Sequence, residues 1–135
     1  MPRNRFVEPE TVRLELSDGD WIEVKKELTY GEEQRLTGAA MTSMNVQSDA
    51  DRVKAKTADG EGVRVNLENE RYAVLRFYTW IAEWSFTNKH GKHINVSRES
   101  ISNLIASDAH EIDTALSAYI DSVEEERKNV PSPTP

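Results

Sequence analysis

The aromatic residues of this chain are concentrated in one segment, which constrains the fold more than any other feature. Six of the ten aromatic side chains lie within residues 66–87, namely Tyr72, Phe77, Tyr78, Trp80, Trp84 and Phe86. On a helical wheel Arg76, Thr79 and Glu83 form a narrow polar strip, and apolar side chains cover most of the remaining circumference. Because one small surface cannot cover so wide an apolar face, we predict a central helix surrounded by several elements of the chain or by another molecule.

Two short alternating segments precede this helix. Val12, Leu14 and Leu16 alternate with charged residues, which is the period of a half-buried strand. Residues 17–20 then read Ser-Asp-Gly-Asp, and residues 21–24 read Trp-Ile-Glu-Val. Two such segments on either side of an Asp-Gly turn predict an antiparallel β-hairpin.

A first helix and a long loop are predicted between the hairpin and the aromatic segment. Thr29 and Glu32 form a capping-box pattern, Thr-x-x-Glu, which predicts a helix over residues 30–44. Residues 45–62 are rich in Asp and Gly and bury too little apolar surface to offset the entropy of ordering. We therefore predict a mobile loop there, either a plain flexible insertion or a segment that orders on a partner.

Further capping residues place two helices in the C-terminal part. Ser97 is positioned to cap a short helix that carries Ile101, Leu104 and Ile105. Ser107 or Asp108, together with Glu111, is positioned to open a last helix. The apolar arc of this helix has the width expected of a surface helix docked on a core, and it comprises Ile112, Ala115, Leu116, Tyr119, Ile120 and Val123.

These elements together predict a mainly α fold with a short N-terminal β-hairpin, of the α+β class, built around the central aromatic helix. A length of 135 residues suits one ordinary domain. We expect an N-terminal arm over residues 1–10, a single domain over residues 11–128 and a disordered tail over residues 129–135. The tail is expected because its prolines cannot continue a helix.

Composition argues against several classes of function. The net charge of −7 and the scattered Lys and Arg residues disfavour binding to a phosphate backbone. The absence of cysteine excludes disulfides, thiolate nucleophiles and cysteine metal sites. No apolar run approaches the roughly 20 residues that span a bilayer, and residues 1–10 do not resemble a signal peptide. We expect a protein without nucleic-acid or membrane partners that stays in the cytoplasm.

No pattern of residues predicts catalysis. His90 and His93 could be metal ligands, but both lie beside lysines without a cysteine or acidic cluster, which favours a solvated loop. His110, with Asp108 and Glu111, could act in acid–base chemistry, but this position at a helix start favours capping. The motifs of serine hydrolases, phosphate loops and dinucleotide sites do not occur. We therefore predict no catalytic residue, metal or cofactor, and not an enzyme.

The tryptophans have two interpretations. Trp80 and Trp84 lie one turn apart on a predicted helix, where aromatic stripes usually face the interior of the protein. Aromatic anchors also dominate the energetics of protein interfaces. As candidate partner contacts we therefore name Trp80, Trp84, Phe77, Tyr119 and Ile120.

The order of these elements resembles a known family. Residues 16–24, Leu-Ser-Asp-Gly-Asp-Trp-Ile-Glu-Val, followed by residues 28–32, Leu-Thr-Tyr-Gly-Glu, resemble the opening of small proteins encoded in the tail modules of long-tailed phages. The aromatic helix ending at residues 84–86, the segment 96–101 and the last amphipathic helix are similar to the layout of siphophage tail assembly chaperones.

The resemblance implies a binding protein. Such chaperones coat the tape measure protein, keep it soluble and help to recruit tail tube protein; self-association is left open. They act in the host cell cytoplasm, and we expect this one to be absent from the mature virion. The alternative is a structural virion component, such as a minor tail or head–tail connector protein. The resemblance also implies a longer form made by a change of reading frame near residues 127–129, for which an ordinary tail is the alternative.

Overall fold

A computed structural model describes residues 3–53 and 60–129, and the side chains of residues 3–42 and 70–128. The described residues form, in chain order, β1 (Thr11–Glu15), β2 (Trp21–Lys25), α1 (Tyr30–Val53), α2 (Gly60–Trp80), β3 (Ile81–Trp84), α3 (Arg98–Ser102) and α4 (Ala106–Asn129). This confirms the predicted mainly helical α+β class with an N-terminal hairpin.

The predicted hairpin is formed, and a third strand extends it. β1 and β2 are antiparallel, with Leu14 opposite Ile22, and a short 3₁₀ turn, Ser17–Gly19, joins them. In this turn Asp18 and Gly19 have φ angles of 59° and 78°, a left-handed conformation that Asp tolerates and Gly favours. β3 pairs antiparallel with the free side of β2, so that the strand order is β1-β2-β3.

One face of this sheet carries the core. Ile22 and Val24 of β2 are fully buried on it, and β3 adds Ile81 and Trp84. Residues three apart on a regular strand point to opposite faces. An irregularity in the pairing beside Glu23 shifts the register, so that Ile81 lies opposite Val24 while Trp84 lies opposite Ile22. Both apolar side chains of β3 thereby reach the core.

The prediction of one aromatic helix over residues 66–87 is wrong at its C-terminal end. α2 ends at Trp80, and β3 begins at the next residue. Pairing with β2 provides hydrogen-bond partners for the backbone of Ile81–Trp84. A helical wheel contains no information about such a distant partner. Trp80 and Trp84 therefore do not share one flank of a helix.

The predicted loop over residues 45–62 is also wrong for most of its length. α1 continues beyond residue 44 to Val53, and α2 begins at Gly60. The two helices contact each other, and such packing can outweigh the weak helix propensity of Asp, Ser and Gly. Residues 54–59 lie outside the described residues, as do residues 130–135 of the predicted tail.

Two predicted helix caps are confirmed. The hydroxyl of Thr29 accepts from the amide of Glu32 (3.1 Å), and the Glu32 carboxylate accepts from the amide of Thr29 (3.0 Å). The hydroxyl of Ser97 accepts from the amide of Ser100 (3.0 Å) at the start of α3. α3 ends at Ser102, however, so Leu104 and Ile105 lie beyond the helix that was predicted to carry them.

The last helix packs on the core with its predicted apolar face. Ile112 and Leu116 of α4 are fully buried in the same cluster as Ile22 and Trp84. α4 begins at Ala106, earlier than the predicted caps. Glu111 does not act as a cap, because its carboxylate accepts from the amide (3.1 Å) and the hydroxyl (2.9 Å) of Ser17 in the hairpin turn. The helix is thus fastened to the end of the sheet.

The capping carboxylate of Glu32 predicts a dependence of stability on pH. Burial raises its pKa, but hydrogen bonds from Lys25 and Thr29 together outweigh this and hold the pKa below its usual value of 4.5. A lowered pKa in the folded state stabilises the protein above pH 4.5, and this contribution is lost as the pH falls through the folded-state value. We expect Glu32→Gln to be less stable than the wild type near pH 7, with the difference shrinking in acid. Urea unfolding at several pH values measures it, and a difference that is constant with pH would contradict the assignment.

Candidate partner-binding surface

Three of the predicted partner contacts lie in the core of this chain. Phe77, Trp80 and Trp84 all belong to the buried cluster, and Trp84 is only 1% exposed. Its indole N–H donates to the carbonyl of Ile94 (2.6 Å), and its ring lies 4.9 Å from that of Phe86. The structure therefore favours internal packing, the first of the two interpretations.

Tyr119 and Ile120 lie half-buried at the edge of the same cluster. The Tyr119 ring stands edge-to-face on that of Trp80, with centroids 6.3 Å apart, and its hydroxyl donates to the carbonyl of Lys26 (3.2 Å). Burial raises the pKa of Tyr119 above its usual value. The structure thus brings Trp80 and Tyr119 together, but in a contact that fastens α4 to the rest of the fold.

An open groove separates α2 from α3. It has a volume of about 420 Å³, and its lining combines the apolar side chains of Val74 and Leu75 with the polar side chains Glu70, Arg71, Arg98 and Ser102. Val74 and Leu75 are only partly buried, so the floor of this groove is accessible. Leu75 and Arg98 also line a neighbouring cleft that includes Tyr78, so the accessible region continues along α2.

A second groove lies on the other side of α3. Its volume is about 430 Å³, and its apolar lining is formed by Trp84, Phe86, Ile94 and Leu104. The polar side chains around it are Asn95, Ser97, Glu99, Ser100 and Asn103. The short helix α3 therefore stands between two concave apolar surfaces.

Two exposed apolar side chains lie beside these grooves. Tyr78 on α2 is 44% exposed, with the Arg98 guanidinium 5.3 Å from the centre of its ring. Ile105, which follows the groove residue Leu104, is 69% exposed. We call the two grooves together with Tyr78 and Ile105 the α3 surface. Small concave apolar sites with polar rims are typical of binding surfaces.

The sequence contained one signal for this surface. The apolar circumference of the aromatic segment was too wide for one neighbour to cover, and the fold leaves Tyr78 exposed and Val74 and Leu75 only partly buried. The exposure of Ile105 was not predicted, because the sequence placed it on the short helix together with the apolar residues Ile101 and Leu104. The second groove also depends on Trp84 of β3, a strand that the sequence pattern predicts as helix.

His90 and His93 are both exposed, and His93 has two partners. His93 Nε2 is 3.1 Å from a carboxylate oxygen of Glu83 and 3.1 Å from the carbonyl of Trp84. Across the described residues, no three His, Asp or Glu side chains gather closely enough to hold a metal ion. In the same part of the chain, no helix combines the length and apolar character needed to cross a membrane.

No family model matches this chain, and neither a curated protein nor a solved structure matches it.

Proposed function

We propose that this protein is a phage tail assembly chaperone that binds the tape measure protein, keeps it soluble and helps to recruit tail tube protein. The layout of the sequence suggests the family, and the α3 surface is the structural observation that supports a binding function. It presents two accessible apolar grooves and two exposed apolar side chains.

The chemistry of the α3 surface suits an amphipathic helix as ligand. The apolar face of a helix can bind a groove through side chains spaced three or four residues apart. Val74 and Leu75 would contact that face, while Glu70 and Arg98 at the rim would fix its orientation through charge. The net charge of −7 would keep the complex dispersed in the host cell cytoplasm.

Two substitutions on the α3 surface test the proposal. Tyr78→Ala and Ile105→Asp should each weaken binding to a helical fragment of the tape measure protein by roughly tenfold, which corresponds to about 1.4 kcal/mol. Isothermal titration calorimetry measures this. Both side chains are exposed, so the melting temperature should change little.

Phe6→Ala is the matched control, because Phe6 is an apolar residue that is 86% exposed but lies in the N-terminal arm. It should bind like the wild type. Equal affinities for all four proteins would contradict the assignment of the α3 surface. Absence of measurable binding by the wild type would contradict the chaperone function itself.

Analysis of purified particles separates the proposed function from the structural alternative. A chaperone acts during assembly, so we expect this protein in infected cells and not in virions. Mass spectrometry of both samples provides the comparison. Recovery from virions at the abundance of a tail or connector subunit would favour the structural virion component.

A further inference from the structure

Hydrogen bonding within the hairpin shows which backbone groups of β1 face β2. The amide of Leu16 donates to the carbonyl of Asp20 (2.8 Å), and the amide of Lys26 donates to the carbonyl of Glu10 (2.9 Å). Hydrogen-bonded and non-hydrogen-bonded pairs alternate along an antiparallel ladder. The backbone groups of the even-numbered residues of β1 therefore bond to β2.

The odd-numbered residues therefore direct their backbone groups to the outer edge of the sheet. These are the N–H and C=O groups of Thr11, Arg13 and Glu15, and β1 is a terminal strand in the order β1-β2-β3. Within the described residues, no other strand pairs with this edge. An unpaired edge of this kind is a template for another strand.

The exposed face of β1 carries two opposite charges. Arg13 forms an ion pair with Glu23 on β2 (2.9 Å), and its guanidinium lies 3.8 Å from the centre of the Trp21 ring. Glu15 is exposed and forms no ion pair with any described residue. This edge thus offers a fixed cation and, two residues later, a carboxylate that is available.

The core face of β1 is covered less completely than that of β2. Ile22 and Val24 on β2 are fully buried, whereas Val12 and Leu14 on β1 remain partly exposed. The helices that cover the sheet therefore stand over β2 more than over β1. An apolar strip along the edge is left for another surface to cover.

We propose that a second copy of this chain pairs its β1 antiparallel with this edge, about a two-fold axis at Leu14, to form a six-stranded sheet. This register sets Arg13 of each copy opposite Glu15 of the other and gives two equivalent cross-strand ion pairs. An axis at Arg13 would instead set two arginines opposite each other, which is destabilising. Charge thus favours the axis at Leu14 over the axis at Arg13, and the pairing at Leu14 is self-complementary, as a two-fold interface requires.

The same register continues the apolar core across the axis. Leu14 of one copy meets Leu14 of the other, and Val12 meets Leu16, so contact across the axis buries more of this half-exposed apolar strip. In the proposed dimer, three strand spacings separate β2 of one copy from β2 of the other, because the two β1 strands lie between them. Helices centred over these two β2 strands would therefore be roughly 14 Å apart. This exceeds the roughly 8–10 Å at which helices pack, so they do not obstruct the pairing.

Sedimentation equilibrium of the full chain at low ionic strength, from micromolar to millimolar concentrations, tests the proposal. The wild type should show a monomer–dimer equilibrium. Glu15→Arg should weaken the dimer by about tenfold or more, because it sets arginines opposite each other in the proposed register. Glu15→Gln removes the charge without adding another and should weaken it less. Circular dichroism should show that both variants are folded.

A charge exchange provides the decisive control. The double variant R13E/E23R exchanges the two charges of the ion pair within the hairpin, so that pair is preserved. In the dimer, however, the new carboxylate at position 13 lies opposite Glu15 of the other copy. Alone it should be monomeric, and mixed with Glu15→Arg it should form a heterodimer with two restored ion pairs. A wild type that stays monomeric at every concentration, an undiminished dimer of Glu15→Arg, or a mixture of folded variants that does not associate would each overturn the proposal. If R13E/E23R does not fold, the test rests on the dimer affinities of the other three proteins, which should decrease in the order wild type, Glu15→Gln, Glu15→Arg.

Discussion

Replacing Trp84 by alanine should lower the free energy of unfolding by about 3–5 kcal/mol. Trp84 is the largest fully buried side chain, and it joins the third strand of the sheet to the segment that follows it. Its removal leaves a cavity in the core cluster and deprives the Ile94 carbonyl of its indole donor. For a domain whose total stability is typically about 5–15 kcal/mol, this is a large fraction. Urea unfolding followed by circular dichroism measures the change.

Trp84→Phe separates the two contributions of this side chain. Phenylalanine keeps an aromatic ring in the core but cannot donate to the Ile94 carbonyl, so its cost should lie well below that of alanine. Were Trp84→Ala to unfold at the urea concentration of the wild type, Trp84 could not be part of the core, and its role as a partner contact would return to consideration.

The sequence predicted the elements that depend on local interactions. The hairpin follows from alternating residues around an Asp-Gly turn, and the starts of α1 and α3 follow from Thr29 and Ser97. In each case the residues that determine the structure lie within a few positions of one another. A single sequence contains all the information that such features need.

The elements that depend on distant partners were not predicted. β3 exists because residues 81–84 pair with β2, about sixty positions earlier in the chain, and their own composition also suits a buried helix. The extension of α1 to Val53 likewise depends on contact with α2. Propensity alone underestimates a helix whose stability comes from packing.

The sequence indicated an uncovered apolar surface but not the residues that form it. The sequence indicated more apolar surface on the aromatic segment than one neighbour could cover, and the structure leaves Tyr78 exposed there. Phe77, Trp80 and Trp84, which were named as partner contacts, are instead buried in the core, because burial of large aromatic side chains contributes strongly to its stability. The exposed apolar side chains beside α3, Tyr78 and Ile105, then remain for a partner.

Replacing Leu116 by alanine is the second substitution with a large expected effect. Leu116 is fully buried at the centre of the apolar face of α4, in one cluster with Ile22 and Trp84. The contacts of Glu111 with Ser17 and of Tyr119 with Lys26 hold α4 in place on either side of it. Because the surrounding side chains fill such a cavity only in part, we expect a cost of about 2–5 kcal/mol.

Ile105→Ala is the matched control for this substitution, since it also shortens an aliphatic side chain, but at a position that is 69% exposed. Its cost should stay within about 0.5 kcal/mol. The midpoint of urea unfolding should fall for Leu116→Ala while the slope of the transition stays unchanged, because the same surface is exposed on unfolding. If both variants unfolded with the wild type, α4 would not be packed on the sheet. A changed slope would instead show that α4 unfolds apart from the sheet, so that the two do not form one cooperative unit.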